Sequence, residues 1–307
     1  MAGGQPQVPH LINYRMTIEI LYPSQCILGE SPLWHSERNS CFWVDIEQGI
    51  LYEINWINKS VHDWKFGKHI SVVLEDERGN LILGIDQKLA RFNFKDNSLK
   101  TLAVIEESDS RFRCNDGACD FFGNIWIGSM QLDCKPHEGS LYYLSKDLQP
   151  KKILSGLTNP NGIVWTNENE RMYFIDSPTG LVKSYVFDSI SEEISFERNA
   201  VKIPDDLGIP DGMTMDEQGM LWIAIYGGGC IGRWDPKTGT LIETINLPAP
   251  NVTNCAFAGE NLDQLVITTS RENLSIKQLK KYPDSGNVFI AKDLGTKGMR
   301  SNKVKMS

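Results

Sequence analysis

No run of apolar residues in this 307-residue chain approaches the roughly 18–20 that a membrane helix needs, so no membrane association is expected. The start lacks the charged segment followed by an apolar stretch that a secretory signal shows. Residues 1–15 are read as an unstructured leader or a cloning remnant, with Met16 offering a second start, and residues 16–307 as a single domain. Histidine is scarce: the five present include no HExxH and no zinc-like spacing, and His35, which follows Trp34, is expected to be exposed in a turn. There is no GxSxG elbow for a serine nucleophile and no Walker loop. The seven cysteines are odd in number and contain no CxxC. That excludes a disulfide framework or a cysteine zinc site, and points to thiols kept reduced in the cytoplasm, each a small buried hydrophobe. Basic residues are outnumbered, 31 to 39, for a formal charge of −8, and nowhere cluster into a nucleic-acid-binding face. The mildly basic stretch from Lys297 to Lys305 is expected to be a solvated terminus. With 41% hydrophobic and 23% charged residues, the chain has the composition of a globular protein.

What the sequence does have is a weak internal repeat. Three segments align without gaps: Asn115 through Asp120 and Gly123 to Trp126, Asp211 through Asp216 and Gly219 to Trp222, and Ser71 through Asp76 and Gly79 to Ile82. With one extra residue in the turn, Asn161 to Asp176 and Glu30 to Asp45 join them, and Asn254 to Thr268 is a degenerate sixth copy. The starts at 30, 71, 115, 161, 211 and 254 are spaced by 41, 44, 46, 50 and 43 residues, the period of propeller blades or helical arrays. Each unit is a short β run, a polar turn and a β-branched or aromatic run, followed by a further strand pair, with no long helical stripe. The expected fold is therefore all-β, a six-bladed β-propeller, with the Thr17–Tyr22 run completing the last blade.

In a propeller the innermost strand of every blade lines the central channel, so residues at one repeat phase form a ring. Four phase-leading residues, Glu30, Asn115, Asn161 and Asp211, sit in tight segments with Ser, Asp or Gly behind them. Two carboxylates and two amides are hard oxygen ligands that suit Ca²⁺, Mg²⁺ or Mn²⁺ better than a soft metal. Asn-Gly and Asp-Gly pairs are also ordinary turn signals, but a turn does not require them in register. The expectation is a central site for one divalent ion.

The segments Gly29-Glu30-Ser31-Pro32-Leu33-Trp34, Arg113-Cys114-Asn115-Asp116-Gly117, Gly128-Ser129-Met130, Asn161-Gly162, Ile209-Pro210-Asp211-Gly212-Met213 and Leu294-Gly295-Thr296-Lys297-Gly298 resemble the senescence marker protein/regucalcin/gluconolactonase family, which includes the insect luciferin-regenerating enzymes. The match spans about residues 24–300 in order, and the family fold is a six-bladed propeller. The resemblance implies a divalent ion (Ca, Mg, Mn or Zn) held by Glu30, Asn161 and Asp211, with Arg113 and Asn115 facing the substrate. The family commonly carries Glu after the Gly-x-Met segment where this chain has Asp133, a shorter side chain that bears on substrate preference.

The expected activity is metal-dependent opening of small sugar lactones. The ion would polarise the carbonyl, Asp211 would act as general base on water, and Arg113 would stabilise developing negative charge. The competing role for Arg113 is a salt bridge to Asp116 or Asp133. Alternative functions are the same site acting on another ester, an organophosphate or a nitrile-type compound, or a calcium-binding propeller without turnover. A small-molecule substrate is expected in every catalytic case. Gly227 to Gly232 satisfies GxGxxG, but the residues that follow it read as strand and turn rather than helix, which rejects a dinucleotide site.

Overall fold

The structure, a computed structural model, describes residues 16–106, 110–166 and 170–306; the expected leader lies outside them. After β1 (Thr17–Tyr22), the strands group antiparallel in chain order. The first sheet holds β2 (Gly29–His35), β3 (Ser40–Asp45), β4 (Ile50–Asn55) and β5 (Val61–Lys65), and the second β6 (Ile70–Glu75), β7 (Leu81–Ile85), β8 (Lys88–Asn93) and β9 (Ser98–Val104). The third holds β10 (Phe112–Cys119), β11 (Ile125–Gln131), β12 (Gly139–Leu144) and β13 (Lys151–Leu157), and the fourth β14 (Pro160–Trp165), β15 (Arg171–Asp176), β16 (Leu181–Asp188) and β17 (Glu193–Lys202). An eight-stranded sheet joins β18 (Ile209–Met215), β19 (Leu221–Tyr226), β20 (Cys230–Asp235) and β21 (Thr240–Asn246) to β22 (Asn251–Ala258), β23 (Gln264–Ser270), β24 (Val288–Lys292) and β1, through the single pair Tyr226 and Asn251. The fold is all-β and propeller-like.

The first strands touch in a closed ring: β2 abuts β6, then β10, β14, β18 and β22 follow in turn, and β22 returns to β2. The expected tie between the chain ends is present, with Thr17 opposite Lys292 and Ile20 opposite Phe289. Second strands such as β3, β7 and β11 are buried along their whole length, which is why they read as continuous apolar runs. The core lies between neighbouring sheets: Phe42, Val44 and Leu51 pack on Ile70, Leu83 and Phe92, and Trp126 and Tyr143 pack on Trp165 and Phe187.

The repeat has a local cause. Asp76, Asp120 and Asp216 each close the turn after a first strand, accepting at their carbonyl from the N–H of Gly79, Gly123 and Gly219 (2.9–3.0 Å). These glycines have φ of 74°, 90° and 79°, which any other residue adopts with strain. The Asp120 and Asp216 carboxylates also accept from the buried indoles of Trp126 (3.1 Å) and Trp222 (3.0 Å). Gly227 to Gly229 form the turn between β19 and β20, so the GxGxxG stretch opens no helix.

Three expectations are corrected. His35 is not exposed in a turn; it ends β2, is buried, and its Nε2 lies 3.1 Å from Gly79 O. Cys134 is exposed while the other six cysteines are buried. Lys297–Lys305 is not simply solvated, because it crosses the far end of the ring. Lys297 O accepts from Glu217 N (2.8 Å), Asn302 Nδ2 donates to Cys119 O (3.1 Å), Val304 N donates to Glu75 O (2.7 Å), and Lys303 Nζ meets Glu37 and Glu75 at 2.7 Å. Above this strap lies a cavity of about 160 Å³, bordered by Leu33, Leu74, Trp165, Met213 and Met215. Among the described residues no helix is long and apolar enough to cross a membrane.

Asp216→Ala removes the acceptor of Trp222 and of two backbone amides, and leaves the Arg233 guanidinium (2.7 Å away) without its buried partner. Urea unfolding is expected to show a loss of about 3 kcal/mol or more; a loss under about 1 kcal/mol contradicts this role for the turn aspartate.

Candidate functional site

All six first strands break register at the repeat phase: between Glu30 and Leu33, Ile70 and Val72, Cys114 and Gly117, Asn161 and Ile163, Pro210 and Met213, and Val252 and Asn254. A bulge of this kind adds an unpaired residue and re-aims side chains. The Asn-Gly and Asp-Gly pairs are therefore neither hairpin turns nor left-handed residues; they lie inside strands. Gly162 is needed for close approach, since a Cβ there would lie 2.9 Å from Asp211 O, and a Cβ on Gly212 would collide with the Asn254 amide.

The bulges bring Glu30, Arg113, Asn115, Asn161 and Asp211 to one end of the channel, each buried. Glu30 Oε2 accepts from Ser31 N (2.8 Å) and from Asn254 Nδ2 (2.9 Å). Ser31 itself has φ 51°, held there as its Oγ accepts from Val73 N on the next sheet (2.8 Å). Asn115 Nδ2 donates to Asn159 Oδ1 (2.9 Å), Pro160 O (2.8 Å) and Asn161 Oδ1 (3.3 Å). Asn161 Nδ2 is spent on Ser177 Oγ (2.9 Å), which fixes its amide and leaves the oxygen on the opposite side. Arg113 Nη1 donates to Cys114 O (3.0 Å) and to Asn115 Oδ1 (2.5 Å), and among the described residues it makes no ion pair with Asp116 or Asp133.

The electrostatics are lopsided. Burial and the nearby Asp116 push Glu30 from the ordinary 4.5 up to about 8, against the hydrogen bonds from Asn254 and Ser31. Burial raises Asp116 to about 6, and burial together with Glu30, Asp116 and Glu272 raises Asp211 well above the carboxylate range. Burial lowers the pKa of Arg113, opposed by Glu47, Glu272 and Glu30. Asp211 is 8% exposed, and no donor bonds its carboxylate among the described residues. A buried carboxylate without donor or counter-ion is costly, and a cation would relieve it. No three His, Cys, Asp or Glu side chains among the described residues converge closely enough to hold an ion by themselves. A set completed by the Asn161 amide oxygen is all-oxygen and hard, so the residues present fit a divalent cation.

Asp133 is not part of the buried cluster. It is exposed on the loop between β11 and β12, beside Cys134, whose thiol Arg113 influences. Three residues went unassigned from sequence: Asn254, which leads the sixth repeat and orients Glu30; Asp116; and Glu272. The first two carried a signal in their repeat phase. Glu272 lies after a strand, outside any repeat position, and had none.

A propeller-like fold with acidic and amide groups gathered at one channel end defines a recognisable class. Residues 28–271 match the SMP-30/Gluconolactonase/LRE-like region, and the chain belongs to that family. It is 32% identical to regucalcin of Homo sapiens over 287 residues, 92% of this chain and 96% of that protein. It is also 32% identical over 271 residues to the putative sugar lactone lactonase YvrE of Bacillus subtilis, 87% of this chain and 92% of that one. The solved luciferin-regenerating enzyme superposes with a TM-score of 0.89 at 29% identity, covering 95% of this chain and all of that one.

For protein stripped of ions, the raised pKa of Glu30 fixes the sign of the pH dependence. A carboxyl that holds its proton more tightly when folded stabilises most below pH 4.5, and that contribution is lost as pH rises to about 8. Thermal unfolding in chelator is expected to weaken over that window, and Glu30→Gln to flatten the slope. A wild-type slope of opposite sign, or one that the substitution leaves unchanged, removes Glu30 as its source.

Proposed function

We propose that this protein is a six-bladed β-propeller enzyme that opens small sugar lactones with the help of one divalent ion in the central channel. The observation that carries this is the buried, donorless Asp211 carboxylate facing Glu30 and Asp116 with one guanidinium nearby. Family membership and the lactonase relative support a lactonase-type activity. Glu30, Asn161 and Asp211 would hold the ion, which is Ca²⁺, Mg²⁺, Mn²⁺ or Zn²⁺. When bound, such an ion supplies Lewis-acid polarisation of a carbonyl and lowers the pKa of a water. Asp211 takes the proton from the attacking water as its oxygen bonds to the lactone carbonyl carbon. Arg113 steadies the negative charge that develops on the carbonyl oxygen. Asn115, fixed by Asn159 and the Pro160 carbonyl, orients substrate, and Asp133 reaches the ring hydroxyls from the rim. The bond from the carbonyl carbon to the ring oxygen then breaks, and Asp211 returns its proton to that oxygen, which leaves as a hydroxyl and gives the open hydroxy acid. The free, mostly buried thiols support a cytoplasmic location. A second reading, the same site acting on a different ester or a nitrile-type compound, is supported by the likeness to the luciferin-regenerating enzyme.

Proton release from glucono-1,5-lactone, corrected for spontaneous opening, tests the proposal on chelator-stripped protein before and after each ion is added. Activity is expected only with an ion. Asp211→Asn is expected to lower it by about 10²-fold or more with the fold retained. Asn161→Ala is expected to weaken ion binding by about tenfold or more in calorimetry. Ion-loaded protein that opens no lactone, or near-normal turnover in Asp211→Asn, defeats the proposal.

A further inference from the structure

Glu272 is anchored from three sides at the channel end that holds Glu30 and Asp211. Its N–H donates to Ile27 O (2.9 Å) and Ser270 Oγ (2.9 Å), and its carbonyl accepts from the Tyr226 hydroxyl (3.2 Å) and Asn251 Nδ2 (2.9 Å). These partners stand at the site-facing ends of the ring strands: Tyr226 pairs with Ile209 just before Asp211, Asn251 opens the strand of Asn254, and Ile27 just precedes the strand of Glu30. The backbone of residue 272 is thus fixed, while its half-buried carboxylate has neither donor nor cation within bonding distance among the described residues.

A second acid lies nearby. Asp45 caps Ile27 N (2.8 Å) and Leu28 N (3.3 Å), which sets the loop carrying Glu47 beside the start of β2. The basic partner of Glu47 is His69, 3.9 Å away, and His69 is shared with Asp86 (3.6 Å). Arg113, the guanidinium within the site, is committed to Cys114 O and Asn115. The entrance therefore carries more acid than the Arg113 guanidinium offsets, above a buried carboxylate that itself lacks a donor among the described residues.

We propose that Glu272 is a specificity-determining residue, whose carboxylate accepts hydrogen bonds from the hydroxyls of a neutral polyhydroxylated ring and, with Glu47, turns away rings that carry a phosphate or carboxylate. Hydroxyl bonds to a charged acceptor are strong, and like charges brought together discriminate against the wrong ligand. The assignment rests on the lactone reading for its substrate, but the charge selection is measurable without turnover.

The test uses the full, ion-loaded chain as wild type, Glu272→Gln and Glu272→Asp. Glucose and glucose 6-phosphate are compared by calorimetry, and glucono-1,5-lactone and its 6-phosphate by proton release. Wild type is expected to favour the neutral member of each pair by about tenfold or more at low salt. Glu272→Gln narrows the ratio several-fold, mainly through KM, and Glu272→Asp restores most of it. A ratio unchanged in Glu272→Gln, equal or inverted preference in wild type, or no binding and no turnover with any of the four compounds overturns the assignment. If no lactone is opened but the preference for glucose persists and Glu272→Gln erases it, the lactone reading falls and the assignment stands.

Discussion

Register breaks at one height in six strands are the constraint on which the site depends. A regular strand sends successive side chains to opposite faces, so an unbroken first strand could not turn consecutive polar residues into the channel. The bulge permits this but frees a backbone N–H that must find an acceptor. Three of the phase side chains supply it themselves: Glu30 accepts from Ser31 N, Asp116 from Gly117 N (2.7 Å), and Asn254 from Cys255 N (2.8 Å). Polarity at those positions thus has a purely structural use. Asn115, Asn161 and Asp211 make no such bond, and their polarity is left for the channel.

That division separates scaffold from the proposed site within a single ring. Glu30 belongs to both groups, because its Oε2 is doubly occupied by Ser31 N and Asn254 while its charge still acts on Asp211. The amides are held just as firmly, Asn115 by Asn159 and Pro160 and Asn161 by Ser177 on the short turn after β15. Groups locked by neighbours before any ligand arrives need little reorganisation when charge develops beside them. Conversely, a cluster with more acid than base is unfavourable on its own, which is the thermodynamic condition for taking up a cation.

The ring and its phase were legible because blade geometry repeats in sequence: Asp120, Gly123 and Trp126 recur as Asp216, Gly219 and Trp222 for a hydrogen-bonding reason that the aligned residues carry themselves. The closing strand Thr17–Tyr22 was legible from its β-rich composition and the need to complete the last unit. The bulges were not, since Asn-Gly and Asp-Gly look alike in a turn and in a bulged strand. Nor was His35, whose burial depends on Gly79 and Glu75 from another sheet. The burial of Val304 and the ion pairs of Lys303 likewise depend on partners more than two hundred residues away, and a basic tail carries no local sign of them.

The C-terminal strap has a consequence for the site at the other end. Lys303 neutralises Glu37 and Glu75 at the end it crosses, and the strap covers the cavity there, bounded in part by Met299, Arg300 and Ser301. The channel is therefore polarised: Lys303 offsets the acids at the closed end, whereas at the open one Arg113 stands against Glu47, Glu272 and the buried carboxylates, which outnumber it. Low-dielectric walls focus such a field along the channel instead of letting it spread into solvent. The proposed preference for cations and neutral rings over anions thus rests on this placement, since the chain's formal charge of −8 is modest for its length. On the proposed reading, where the charge sits, more than how much there is, decides which small molecules reach Asp211.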